Sequence, residues 1–482
     1  MAKHPGDPPP RIIQGGMGAG VSRWPLARAV SRKGGLGVVS GTALDTLIAR
    51  LLQDGDPGGH IHQAARYFPL PEMAGRMIER WYIPGGKPED KAYRNVPKWT
   101  PDPPRELVEL TIFANFCEIW LAKFRNPGWV GINYLEKIQM PHLYSLYGSL
   151  LAGVDAVLMG AGIPDQIPGV LDALVRHQPV TYRLDVKGGE ASMTFDPAAL
   201  WEGKTPPLLS RPLFLPIVAS HILAQRLSKL GVDGFVVEGP GAGGHNAPPR
   251  TPDPETGQKV YGEKDKIDWD KLNALNLPYW IADRKASAEG MEEARALGGY
   301  GIQVGSIFAL CKESGLTSEL KQQLRRNGYR CELEVRTNLK GSPTGFPFKE
   351  AILEGSLTDP DVYKNRRRVC NLGYLAAVLS LDGSIVIRCP AEPVKDYVRK
   401  DGDPKDTEGR ECLCNSLLAN VGLPQRYPGG RTEPPLITIG ETVSSHEVEN
   451  EGETHFLRQL SSEHGRSYTA GQAYDFLLSG SR

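Results

Sequence analysis

Eight short apolar runs, each followed by a turn and a helix-like segment, constrain this chain more than any other feature. They lie at residues 11–14, 36–40, 130–134, 156–160, 213–220, 234–238, 278–282 and 301–305. Most are continuously apolar rather than alternating, which is how parallel strands covered on both faces read. Amphipathic segments such as 22–33, 142–153, 164–177, 221–231 and 287–297 lie between them, and Gly34, Gly153, Gly231 and Gly298 supply C-terminal stops. Strand–helix alternation repeated eight times predicts an α/β fold, a closed (β/α)8 TIM barrel. An open doubly wound sheet is the alternative left by the same pattern.

At 482 residues the chain is longer than one such core needs, and insertions are expected. Residues 1–40 read as the start of the barrel and 41–128 as a mostly helical insertion, with a helix over 106–124. Residues 129–329 complete the barrel. Within them, 178–196 carries an inserted hairpin turning at Lys187-Gly188-Gly189, and 241–276 is a loop insertion. Residues 330–482 form a C-terminal extension, with helical segments expected near 372–379, 454–460 and 469–478.

Hydrophobic residues at 40% and charged residues at 23% are an ordinary globular mixture. Lys+Arg and Asp+Glu balance at 56 each, so no global pull towards nucleic acid or a membrane surface is expected. The densest basic run, Arg366-Arg367-Arg368, reads as a solvated helix face. No run approaches the roughly 20 apolar residues of a membrane span, and residues 1–10 are polar and proline-rich with no apolar signal-peptide core. With that, seven cysteines, an odd number, predict reduced thiols and a cytoplasmic setting.

Three segments carry the chemistry. Ile12-Ile13-Gln14-Gly15-Gly16-Met17-Gly18-Ala19-Gly20 runs a strand into a glycine-rich turn that lets backbone approach a flat ring or a phosphate. It lacks the Lys and Ser/Thr of a nucleotide-triphosphate loop. Val236-Val237-Glu238-Gly239-Pro240-Gly241-Ala242-Gly243-Gly244-His245 delivers a small-residue loop ending in histidine, a side chain suited to proton transfer near neutrality. Gln303-Val304-Gly305-Ser306 is a strand end entering a helix, the place where eight-stranded barrels hold phosphate.

With Ser31-Arg32-Lys33-Gly34-Gly35-Leu36-Gly37 and Gly131-Ile132-Asn133, these segments resemble the nitronate monooxygenase (2-nitropropane dioxygenase-like) family, in collinear order from about Arg11 to Cys311. The resemblance implies a barrel that binds FMN without a covalent bond. It implies flavin contacts at Gly16, Met17, Gly18, Asn133, Glu238, Gly243 and Gly244. It places the phosphate near Ala282, Asp283, Gln303, Val304, Gly305 and Ser306, and makes His245 the catalytic base or substrate-orienting group. Relatives often carry glutamine at the position of Glu238, glycines at Ala282-Asp283, and lysine at Ile217. A carboxylate beside a phosphate is unfavourable unless Arg284 or Lys285 neutralises it. The implied reaction is oxidation of a small nitronate or similar acidic carbon substrate, with oxygen or another electron acceptor; self-association is left open. A flavin-dependent enoyl-thioester reductase or NAD(P)H:quinone reductase, and a non-catalytic barrel partner protein, are the alternatives.

Cys370, Cys389, Cys412 and Cys414 fall within one stretch, and four thiolates suit tetrahedral zinc or an iron–sulfur cluster. Their spacing lacks a Cys-x2-Cys pair, and buried free thiols are the other reading. His60 and His62 are spaced for one strand face, with no third ligand beside them, and His221 begins a helix.

Overall fold

The computed structural model describes residues 9–253 and 259–479. Parts of the predicted segments 1–40, 241–276 and 330–482 fall outside these residues. The eight apolar runs are eight strands: β1 (Ile12–Gln14), β2 (Gly37–Ser40), β3 (Val130–Leu135), β4 (Ala156–Gly160), β5 (Leu213–Val218), β6 (Phe235–Glu238), β7 (Tyr279–Ala282) and β8 (Gly301–Val304). Each pairs in parallel with its chain neighbour from β2 through to β8, and β8 pairs with β1. A parallel bridge between Ile13 and Leu36 closes the ring, where the Gln14 amide donates to the Leu36 carbonyl at 3.0 Å. The closed barrel stands over the open sheet.

Both strand faces are apolar because both are covered. Ile13, Val38, Leu158, Leu215, Val236 and Trp280 fill the barrel interior. Their neighbours Ile12, Val39, Val157, Phe214, Val237 and Ile281 point outward into the larger core beneath the helices. Gly37 shows how tight that outer layer is. A Cβ there would lie 1.8 Å from the Ala27 carbonyl oxygen, so helix Trp24–Arg32 crosses directly over the strand.

The first insertion holds helices Leu44–Gln53, His60–Ala65, Pro71–Trp81 and Arg105–Lys123. His60 and His62 therefore sit on a helix, not a strand face, and the His62 ring meets Asp56 at 2.7 Å. In the second, Val180–Leu184 pairs antiparallel with Ala191–Phe195. The loop after β6 includes the short helix Trp269–Asn273.

The C-terminal extension does not stand apart. It contains a hairpin of β9 (Val335–Asn338) and β10 (Phe348–Ala351), and its helix Ala470–Ser479 packs back on Trp24–Arg32. Two expectations fail here. Residues 372–379 are not helical: Ala377–Leu381 is a strand, antiparallel to Ser384–Arg388 and parallel to Val186–Lys187 of the inserted hairpin. Leu and Ala favour a helix in isolation, and tertiary strand pairing overrides that weak preference. The arginine run is not a solvated helix face either. Arg366 is buried and donates to the Arg410 carbonyl at 2.7 Å, while Arg368 donates to the Pro390 and Thr407 carbonyls. These guanidiniums bolt loops of the extension together.

Candidate functional site

The C-terminal ends of the strands open onto one chamber of about 240 Å3. Its walls include Gly16, Met17 and Gly18 after β1, Asn133 on β3, Glu238, Gly243, Gly244 and His245 at and after β6, Ala282 and Asp283 at β7, and Gln303, Val304, Gly305 and Ser306 at β8. The fold thus gathers every residue expected at the cofactor, together with His245, around one space.

The turn after β1 is held from below. Gln14 donates to Ser22 Oγ at 2.9 Å and accepts from the Val38 amide at 3.0 Å, while Ser22 Oγ donates to the Gly15 carbonyl and accepts from the Met17 amide. Asn133 Nδ2 donates to the Gly16 carbonyl at 3.0 Å. Any side chain at Gly16 would collide with this support, its Cβ lying 2.4 Å from Asn133 Cβ and 2.9 Å from Val38 Cγ1.

The chamber's roof, which no sequence motif marks, comes from the extension. Phe348, Tyr374, Leu375, Cys414, Leu417, Asn420, Thr438, Ile439 and Gly440 all line the space. The loop after β6 is sewn into this roof. The Gly244 amide donates to Thr438 Oγ1 at 2.8 Å, the Lys349 amide to the Gly244 carbonyl at 2.9 Å, and the Glu441 amide to the Gly241 carbonyl at 2.9 Å. His245 forms a backbone bridge with Phe348, and its Nε2 lies 2.7 Å from Ser342 Oγ. Burial lowers the His245 pKa to about 4, so the imidazole is neutral at physiological pH.

The end assigned to phosphate is rich in carboxylates. Asp283 Oδ1 accepts from the Gly241 amide at 3.1 Å, and Ser306 Oγ accepts from the Gly440 amide at 3.1 Å. Burial pushes Glu238 up to about 8, helped by the neighbouring Asp283 charge and opposed by Lys349. Burial raises Asp283 as well, against the pull of Arg284. Arg284 Nε sits 3.3 Å from Asp283, whereas Lys285 pairs with Glu293 on the following helix. Of the two cations expected to offset the carboxylate only Arg284 reaches it, and its Nη1 is shared with Glu447 at 3.1 Å. Lys349 is almost fully buried between Thr337 Oγ1 (2.6 Å) and Glu441 Oε1 (2.5 Å).

The four clustered cysteines do meet, around a small separate cavity. Their thiols are committed to other partners: Cys370 and Cys389 hydrogen-bond each other, and Cys412 Sγ donates to the Val369 carbonyl at 3.6 Å. Among the described residues no group of three or more His, Cys, Asp or Glu side chains is placed to hold a metal ion. Of the two readings open for Cys370, Cys389, Cys412 and Cys414, the arrangement of the described residues matches that of free thiols.

Fold and chamber define an α/β barrel with a candidate ligand site at the carboxyl ends of its strands. Residues 210–345, which hold β5 to β8 and the Gly243-Gly244-His245 element, match the nitronate monooxygenase family model. The family is one of FMN-dependent oxidoreductases, and the enzyme class expected from the sequence is borne out by the match. No curated protein sequence matches the chain. Among solved structures, FabK from Thermotoga maritima is similar at 17% identity and a TM-score of 0.48, over 97% of this chain and 91% of that one. A nitroalkane oxidase from Streptomyces ansochromogenes is similar at 14% and 0.48, over 98% and 95%. The enoyl reductase domain of MlnA from the macrolactin biosynthesis cluster of Bacillus amyloliquefaciens is similar at 10% and 0.46, over 97% and 93%. No helix among the described residues is long and apolar enough to cross a membrane.

Proposed function

We propose that this chain binds FMN in the roofed chamber and oxidises a small nitronate or similarly acidic carbon substrate, with His245 handling the proton. The observation that carries the reading is the convergence of the β1, β3, β6 and β8 residues on one chamber with buried, unpartnered acceptors. Asn133 Oδ1 and Gln303 Oε1 both line it, and neither has a hydrogen-bond partner within the chain. A buried acceptor left bare is costly, and a ring presenting an N–H group would satisfy one. The glycine turn and these two carbonyls therefore fit a flavin. At the other end Gly305, Ser306 and Arg284 suit its phosphate, with Arg284 offsetting Asp283.

Bound flavin supplies electron transfer between substrate and an acceptor such as oxygen. The chain supplies the surroundings. Gly15 to Gly18 and Gly243 would bring backbone up to a bound flavin, and Phe348, Leu375 and Ile439 would help to screen it from water. His245 is neutral, and in the tautomer whose Nε2–H donates to Ser342 Oγ its Nδ1 is the ring nitrogen that takes a proton from carbon.

The test is an absorbance spectrum of the purified protein and a cofactor extract, followed by turnover of an alkyl nitronate. His245→Ala is expected to retain flavin and lose about 100- to 10,000-fold in turnover, the usual worth of a positioned acid–base group. Unchanged turnover removes His245 from the mechanism. Rapid bleaching by NADH or NADPH replaces the oxidase reading with a reductase one. Colourless protein that gains no flavin absorbance on adding FMN overturns both.

A further inference from the structure

Beside the roofed chamber lies a second, larger one of about 450 Å3, within the range of roughly 300–1,000 Å3 that small-molecule sites occupy. It is built outside the barrel repeat, from the loop after β3, the inserted hairpin and the extension strand Ala377–Leu381. It exists because Val186–Lys187 and Ala377–Leu381 pair in parallel and hold the insertion against the extension. The two chambers share a wall of Ile138, Tyr374 and Leu375. That wall is rigid at Tyr374: its hydroxyl meets Asp45 and lies 2.7 Å from Thr46 Oγ1, and Asp45 also accepts from Trp99 Nε1 at 3.0 Å. Trp99 is itself part of the second chamber.

The lining is divided by chemistry. Trp99, Met140, Leu184, Val186 and Val378 give it an apolar part, while Lys137, the exposed Lys187 and the carboxylate of Asp185 bring charge to it. Lys137 is shared with Asp185 at 3.2 Å and Glu136 at 3.8 Å, so Lys187 is the cation with the greater freedom to meet a ligand. With Asp185 taken up by Lys137, an apolar part beside the remaining cation Lys187 matches a ligand that has an aliphatic chain and one anionic group.

We propose that this chamber binds an aliphatic carboxylate, its chain along the apolar lining towards the Ile138–Tyr374–Leu375 wall and its anionic group at Lys187 and Lys137. The proposal rests on the flavin reading only for what lies behind that wall; the binding itself is independent of it.

Calorimetric titration of the purified protein with acetate, hexanoate, decanoate and decanol tests this. Affinity is expected to rise about two- to four-fold per added methylene from acetate to decanoate, as burial of each CH2 dictates. Ala376→Trp, which fills the chamber, and Lys187→Glu, a surface change that leaves the core untouched, are each expected to weaken decanoate at least five-fold. Lys187→Glu should leave decanol unaffected. Flavin absorbance is followed in the same samples: decanoate binding by protein that takes up no FMN supports the chamber while the oxidoreductase reading falls. Absence of saturable decanoate binding, or binding that both variants leave unaltered, overturns the proposal.

Discussion

Replacing Glu238 with glutamine is expected to stabilise the protein under alkaline conditions. Glu238 closes β6 inside the barrel mouth, and its pKa is raised from the ordinary 4.5 to about 8 by burial first and the Asp283 carboxylate second. Its native pKa lies above its unfolded one, so the folded state holds the proton more tightly. The stability this confers is complete below about pH 4.5 and is lost as pH rises through about 8. About 3.5 pH units separate the two values, and at about 1.4 kcal/mol per unit the whole effect is at most about 5 kcal/mol. Roughly 3 kcal/mol of it is already gone at about pH 7, and a further 1.4 kcal/mol or so goes between about pH 7 and 9. Glutamine has the shape of the protonated carboxyl and does not titrate. The Glu238→Gln variant should match or exceed the parent near pH 7, with a decline to pH 9 shallower by about 1.4 kcal/mol. Denaturant unfolding followed by tryptophan fluorescence across that range measures it. A variant weaker than the parent throughout, with the same slope, would refute the burial argument.

Gly16→Ala is expected to cost flavin affinity at least ten-fold, because the new Cβ meets Asn133 Cβ at 2.4 Å and must displace either the turn or the asparagine. Flavin fluorescence titration reads this, and parental affinity would show that the turn plays no part in binding. Cys370 should be the first of the seven cysteines to be alkylated as pH is raised, since a hydrogen bond from Cys389 draws its pKa below the usual thiol value. Cys389→Ala should slow that reaction; peptide mapping that finds Cys331 modified first in the parent would contradict it.

How much of this was legible in the sequence follows from the range of the interactions involved. All eight barrel strands showed as apolar runs, because a strand buried on both faces has no room for polar alternation. The glycine turn after β1 and the loop ending at His245 were legible for a related reason: close backbone approach leaves a compositional trace. The roof left none. Phe348, Tyr374 and Thr438 lie in stretches with no common period, and their place over the chamber depends on contacts with Gly244, His245 and Asp45 that are far away in the chain. The arginine run was misread because charge density does not reveal that buried loop carbonyls of Arg410, Pro390 and Thr407 are waiting to accept from it.

The roof also sets an order of events during synthesis. All eight strands precede residue 305, whereas the segments that cover the mouth lie between Ser342 and Thr442. All eight barrel strands are therefore synthesised before the pieces that seal their mouth. The chamber is enclosed only once this later polypeptide has folded down upon the loop at Gly241 to Asn246.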